Sequence, residues 1–233
     1  MDQSVSRPIN AAMPRKAEQV RRRILFAAER LFAERGIEAV SLREIAALAN
    51  HGNNNAVQYH FGTKAGLIDA IFEFRVAQME DQRRRMMEEA EAAGLLGDAL
   101  ILMQILCLPH LSLQDEDGNY PYAGFMSQYL TRYRPIGLRH AGDLDLATTV
   151  HLRRLLGLVA QRINYVPLVV GQSRIALCNL MFVNMLVRRN HTPVDQREES
   201  TFKAMVRDTI EIATDALCAT YRQRSDTPHW FGL

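Results

Sequence analysis

Three amide side chains that lie close together in the sequence are the groups best suited to reading DNA bases, namely those of Asn54, Asn55 and Gln58. An Asn or Gln amide donates and accepts hydrogen bonds at once, so it can pair bidentately with the edge of an adenine in the DNA major groove. We predict that these three residues read bases.

The sequence shows no comparable pattern for catalysis. Its seven histidines are scattered, and none has acidic or cysteine partners at metal-ligand spacing. Neither common type of glycine-rich phosphate loop is present. We therefore expect no enzymatic activity, no metal ion and no cofactor.

The amides belong to a stretch, Ser41 to Lys64, that has the pattern of two short helices joined by a polar turn. Ser41 and Glu44 have the spacing of a capping box, which predicts a helix start. Gly52 and the asparagines around it predict a turn, Gly62 ends a second short helix, and Thr63 caps a third. Four apolar residues give the first short helix one apolar face: Leu42, Ile45, Ala46 and Ala49. This is a helix-turn-helix pattern, in which the second helix enters the major groove.

A helix over 19–35 and two short motifs after it form a recognisable set. The set consists of Ile24, Ala28, Leu31, Phe32 and Gly36, then Ser41-x-x-Glu-Ile-Ala, then Tyr59-His60-Phe61-Gly62-Thr63-Lys64 with Leu67. Over roughly the first third of the chain these residues resemble the tetracycline-repressor (TetR) family of transcriptional regulators. Two departures concern the turn after Ala49, which is one residue longer, and Val57-Gln58, where the family often has Leu-Tyr. The resemblance implies that four residues hold DNA phosphates: Ser41, Tyr59, His60 and Lys64.

Positive charge is concentrated at the N-terminal end. Residues 1–64 carry ten Lys and Arg against six Asp and Glu, whereas the remainder carries eighteen against twenty. Such a distribution suits a polyanion at one end of the molecule. A run of charge is usually a solvated face, but beside a helix-turn-helix we expect Arg15, Lys16 and Arg22 to contact phosphates of a double-stranded DNA operator.

The rest of the chain has helical periodicity without a convincing strand, so we predict an all-α fold of about nine helices, which the family resemblance also implies. We divide the chain into a flexible tail (1–13), a DNA-binding domain (14–64) and an effector-binding and dimerisation domain (65–233). Pro14 suits the start of the first helix. Further helices are predicted over 64–93, 98–111, 122–133, 144–164, 172–189 and 198–224.

The central helices combine soft apolar side chains with a few polar groups, as ligand pockets do. Family members bind a small effector there, and we expect a small apolar or aromatic one; plain core packing is the alternative for any single residue. Arg83, Arg84 and Arg85, followed by Glu88, are interpreted as a solvated face. The candidate pocket residues are Phe72, Met79, Met86, Met103, Cys107, His110, Phe125, Met126, Tyr129 and Tyr133.

The last two helices carry heptad-like stripes that favour a dimer interface of four helices. The alternative is that these stripes face the core of their own subunit. The predicted interface residues are Ile175, Cys178, Phe182, Met185, Phe202, Val206, Thr209, Ala213, Ala216 and Thr220.

These patterns together favour a homodimeric repressor that a small molecule releases from a palindromic operator. An activator, or a repressor without a ligand, stays open within that class. An all-α small-molecule-binding or enzymatic protein without DNA affinity is the alternative class. We expect a cytoplasmic protein for three reasons. The three cysteines lie far apart, and residues 1–14 lack the apolar core of a signal peptide. Even the longest apolar runs, such as 100–111, are far shorter than the ~20 residues that a membrane span needs.

Overall fold

A computed structural model describes residues 15–49, 55–135 and 137–221, and within these residues the secondary structure is helical, with no strand. The predicted all-α fold is confirmed. The proposed tail and Pro14 lie outside the described residues. The helices are α1 (Arg15–Arg35), α2 (Leu42–Leu48), α3 (Ala56–Phe61), α4 (Lys64–Ala92), α5 (Ala99–Cys107), α6 (Pro121–Gln128), α7 (Val150–Arg162), α8 (Leu168–His191) and α9 (Glu199–Cys218).

Both predicted caps of the N-terminal helices are present. The Ser41 hydroxyl accepts a hydrogen bond from the backbone N–H of Glu44, whose carboxylate accepts one from the Ser41 backbone, at 3.3 and 2.8 Å. Hydrogen bonds donated to the Glu44 carboxylate by the backbone N–H and the hydroxyl of Ser41, and by Arg35 at the end of α1, lower the pKa of Glu44 to about 2. The Thr63 hydroxyl accepts from the Gly66 N–H at 3.0 Å. Short-range hydrogen bonds therefore determine where α2 and α4 begin.

A buried ion pair joins α1 to α4. Arg75 donates two hydrogen bonds of 2.6 Å to the carboxylate of Glu29, and both side chains are at most 8% exposed. Burial raises the pKa of Glu29, and the Arg75 guanidinium opposes that shift. A third hydrogen bond, to Gln78, holds the guanidinium in place. Because both charges are withdrawn from water, removing either side chain would leave the other charge buried without a partner, which is costly.

A second close contact joins α1 to α6. Gly124 has no side chain, and a Cβ atom there would lie 2.7 Å from the Cβ of Ala33. The rings of Phe32 and Phe125 stack one residue away, with centroids 6.0 Å apart. Glycine at position 124 thus allows the backbones of the two helices to approach closely.

Several helix boundaries differ from the predictions, for local reasons. The helix predicted over 98–111 ends at Cys107, because Pro109 lacks an N–H and the chain continues as a 3-10 turn. Helix α7 begins six residues later than predicted, since Thr149 turns back and donates its hydroxyl to the Leu144 carbonyl at 2.8 Å. Helix α8 begins at Leu168, four residues before the predicted start at 172, and includes Gly171, which packs on Ile163.

The stripes predicted for a dimer interface mix two faces of each helix. Six of the residues are buried against their own subunit: Cys178, Phe182, Met185, Phe202, Val206 and Ala213. These six have little exposed surface left for a partner subunit, and their place in a dimer interface stays a prediction. In α9 the core stripe runs through Ile210 and Leu217, whereas Thr209, Ala216 and Thr220 lie toward the surface.

Helix α8 is long and apolar enough by composition to cross a membrane, a property that it shares with core helices of globular proteins. Here it packs against α6 and α9. Large apolar side chains on its outer face stay exposed, including Leu177 at 57% and Met181 at 36%, with Ile212 of α9 at 49%. Part of the apolar surface of α8 is therefore left uncovered within one subunit.

Candidate nucleic-acid interface

Helix α3 has one buried and one open face. Ala56 and Val57 are buried against the neighbouring helices, whereas Asn55, Gln58 and Tyr59 are exposed, the tyrosine at 85%. Asn55 occupies the position immediately before the first helical residue. Two of the three predicted base-reading residues thus share one open face with Tyr59, and Asn54 lies outside the described residues.

The predicted phosphate-binding residues fall into two groups. Arg15, Lys16 and Tyr59 are exposed, while His60 is half-buried with its ring 5.1 Å from that of Tyr59. Lys64, by contrast, donates its ammonium to the carbonyls of Ile37 at 2.9 Å and Glu38 at 3.4 Å. Lys64 therefore holds the loop between α1 and α2 in place, and its phosphate contact stays a prediction.

Ser41 also has a structural role, since its hydroxyl both donates to and accepts from Glu44. Arg22 lies over the rings of Phe26 and Phe74, at 6.0 and 5.7 Å, on the side of α1 that faces α4. Arg21 instead contacts α3, with its guanidinium carbon 5.2 Å from the centre of the Phe61 ring. Arg21 belongs to the same basic run, for which phosphate contacts are predicted, and its position one residue before Arg22 places it on a different side of α1.

Nine of the ten candidate pocket residues are buried, and all of these except His110 belong to one continuous hydrophobic core. The ring of Phe72 lies 5.1 Å from Phe125 and 4.7 Å from Tyr129, so these three residues form one aromatic cluster. Met86 is only partly buried, whereas its neighbour Met87 is fully buried. Tyr133 lies beside Glu38 of the α1–α2 loop. Burial raises the pKa of Tyr133 most, and the negative charge of Glu38 raises it further.

The interpretation of Arg83 as part of a solvated face is wrong. Its neighbours Arg84 and Arg85 are exposed and pair with Asp81, and Arg84 also pairs with Glu88, but the side chain of Arg83 is 1% exposed. Position 83 follows Val76 and Met79 on the buried stripe of α4, a spacing that the sequence already contained.

A buried histidine, His110, and a half-buried one, His140, accompany Arg83. Burial and then the positive charge of Arg83 lower the pKa of His110 to about 4. Burial also lowers the pKa of His140 to about 4, against the opposing effect of Asp143. Both imidazoles are therefore neutral near pH 7. His110 was among the pocket candidates, whereas Arg83 and His140 were missed. No group of three or more metal-ligating side chains occurs in the described part of the chain.

Comparison with known proteins matches the domain that contains α3 to a family. The model of the bacterial regulatory proteins of the tetR family matches residues 24–71, which run from the middle of α1 through α2 and α3 into α4. This is a TetR-family DNA-binding domain. Within the TetR-family domain, the longer turn after Ala49 lies in the part that the structure does not describe.

Curated relatives match a segment of the chain, and a solved structure aligns with most of it. An HTH-type transcriptional repressor of Mycobacterium tuberculosis and an HTH-type transcriptional regulator of Mycobacterium bovis are each 49% identical over 63 residues. These residues make up 26% of this chain and 32% of each relative, so the match spans about a third of the relatives' length. The crystal structure of a gamma-butyrolactone receptor (ArpA like protein) aligns with 86% of this chain and 98% of that chain, at 19% identity and a TM-score of 0.32.

Proposed function

We propose that this protein is a cytoplasmic, homodimeric transcriptional repressor that binds a palindromic operator and releases it when a small molecule binds among the central helices. The observation that supports this most strongly is the open face of α3, which displays Asn55, Gln58 and Tyr59 in a TetR-family domain. Amide groups on an exposed helix face can pair with base edges, and the buried face holds the helix rigidly.

The exposed apolar residues of α8 and α9 support the homodimer. Leu177 and Met181 lie four residues apart on α8, and Thr209, Ile212 and Ala216 follow at spacings of three and four on α9. Helices with such a stripe pack against a second pair through small and apolar side chains. A two-fold axis would place two α3 helices about one helical turn of DNA apart, roughly 35 Å, which requires a palindromic operator.

Dimerisation can be tested at Ile212. We expect Ile212→Glu to give a folded monomer that binds operator DNA poorly, because a buried unpaired charge disfavours the interface. Sedimentation velocity at micromolar concentration gives the mass. The control is Val150→Glu, which places the same charge on an exposed valine of α7. A monomeric unaltered protein, or an Ile212→Glu dimer, would contradict the proposed interface.

Two contacts could carry the effect of a ligand from the central helices to α1. Helix α6 supplies Phe125 and Met126 to the candidate pocket and also packs closely on α1 at Gly124. Tyr133 lies beside Glu38 at the other end of this region. A ligand releases DNA only if it binds the non-binding conformation better, and a change from 1:99 to 99:1 needs about 5.5 kcal/mol of difference.

The roles of α3 and of the N-terminal basic residues can be separated by substitution. Selection from random duplexes would first yield a preferred site. We then expect Gln58→Ala to change the preference at one or two base pairs by about 1–3 kcal/mol each. Lys16→Ala should weaken binding to all sequences alike and reduce the salt dependence by about one charge. Unchanged preference in Gln58→Ala would remove that residue from the base-reading set.

A further inference from the structure

The side chain of Arg83 has a hydrogen-bond donor without an acceptor in the core. Its Nη1 donates to a carboxylate oxygen of Glu80 at 3.0 Å. The other oxygen of Glu80 accepts from the backbone N–H of His151 and lies 3.1 Å from that ring. Glu80 is thus shared between two residues, and the buried Nε of Arg83 has no hydrogen-bond partner among the described residues.

His140 presents a second donor of this kind, and its tautomer follows from its contacts. Its Nδ1 accepts a hydrogen bond from the Gly142 N–H at 3.0 Å, so in the neutral ring the proton is on Nε2. That Nε2 is buried and has no hydrogen-bond partner in residues 15–49, 55–135 or 137–221. A buried donor without an acceptor costs about 1–3 kcal/mol, which a bound acceptor would recover.

The two donors lie near each other, since the positive charge of Arg83 contributes to the lowered pKa of His140. The turn that begins after His140 packs against α4, the helix that carries Arg83. The ring of His140 lies 4.6 Å from that of Phe72 and 6.0 Å from that of Tyr129. The hydroxyl of Tyr129 is already used, since it donates to the Leu138 carbonyl at 2.9 Å. The ring of His140 therefore has mainly aromatic surroundings.

From these contacts we infer that Arg83 and His140 form the polar end of the effector site and that the effector is an organic carboxylate with an apolar body. One carboxylate accepts from Arg83 Nε and His140 Nε2, while the aromatic cluster of Phe72, Phe125 and Tyr129 holds the apolar body. A guanidinium and a carboxylate form a charge-assisted hydrogen bond, which is stronger than a neutral one. The inference rests on the proposed function in taking the bound molecule to be the effector, and it replaces the expectation of a purely apolar ligand.

Octanoate and its neutral analogue methyl octanoate test this inference by isothermal titration calorimetry on the full chain. We expect octanoate to bind at least tenfold more tightly than the ester. Arg83→Lys, which keeps the charge but loses the Nε donor, and His140→Phe, which keeps an aromatic ring, should each weaken octanoate binding about tenfold. Arg85→Lys is the matched control, because Arg85 is exposed on the same helix. Equal affinity for both probes, or unchanged affinity in Arg83→Lys, would overturn the inference and leave an internal water as the partner of these donors.

A direct readout covers the case in which the variants do not fold. In the unaltered protein, labelled with 15N-arginine, octanoate should shift the NMR signal of the Arg83 Nε–H; an unmoved signal at saturating octanoate would contradict the contact. DNA binding is measured separately. Operator binding without any response to octanoate would refute this inference alone, whereas octanoate binding without DNA affinity would refute the repressor function alone.

Discussion

Replacing Arg75 with methionine is expected to lower the free energy of unfolding by about 3–5 kcal/mol. The methionine would leave Glu29 buried without its guanidinium, and that carboxylate is 2% exposed. Urea denaturation followed by circular dichroism measures the change. The double variant Glu29→Leu with Arg75→Met should recover much of the loss, because an apolar pair can replace a buried ion pair at little cost.

The control for this prediction is an exposed ion pair of helix α1. Arg30 pairs with Glu34 at 2.9 Å, and both side chains are more than half exposed. Arg30→Met should therefore change the free energy of unfolding by no more than about 1 kcal/mol. If Arg75→Met lowered the free energy of unfolding no more than Arg30→Met does, the buried ion pair would not be what joins α1 to α4.

Gly66→Ala is expected to weaken operator binding by roughly 10- to 1,000-fold, the equivalent of one or two lost base contacts at about 1–3 kcal/mol each. An alanine Cβ at position 66 would lie 2.4 Å from the backbone carbonyl oxygen of Phe61, the last residue of α3. Backbone cannot rotate away as a side chain can, so the end of α3 would be displaced. Fluorescence anisotropy with the selected operator measures the loss.

Gly157→Ala provides the matched control, because Gly157 lies inside α7 with nothing within 4 Å of an added Cβ. That substitution should leave DNA binding unchanged and stabilise the fold by up to about 1 kcal/mol, the difference in helix propensity. Full operator affinity in Gly66→Ala would show that the position of α3 does not depend on this contact.

The N-terminal domain was predictable because its signals are local. Ser41 with Glu44, Thr63 before α4 and Gly62 after α3 act over three or four residues, and the structure contains each of them. The sequence could not show that Lys64 bonds to carbonyls 26 and 27 residues away, since that contact depends on how α4 returns to the α1–α2 loop.

The errors in the larger domain arose where residue type was given more weight than position. Arg83 was interpreted as solvated because it stands in a run of three arginines, yet its spacing from Met79 and Met87 places it in the core. In α9 a single predicted stripe combined residues of two faces, because 3.6 residues per turn do not distinguish neighbouring faces over a few turns. The partner of Arg75, Glu29, is 46 residues away, and no local pattern joins them.

The salt dependence of DNA binding tests the central claim most directly. Anisotropy of a labelled duplex that carries the selected palindrome should be measured between about 50 and 200 mM salt. The account predicts that the logarithm of the association constant falls linearly with the logarithm of salt concentration, by about 0.9 for each phosphate neutralised. The same titration with a scrambled duplex should give much weaker binding. Failure to shift any duplex at low salt, or binding that does not depend on salt, would contradict a DNA-binding repressor.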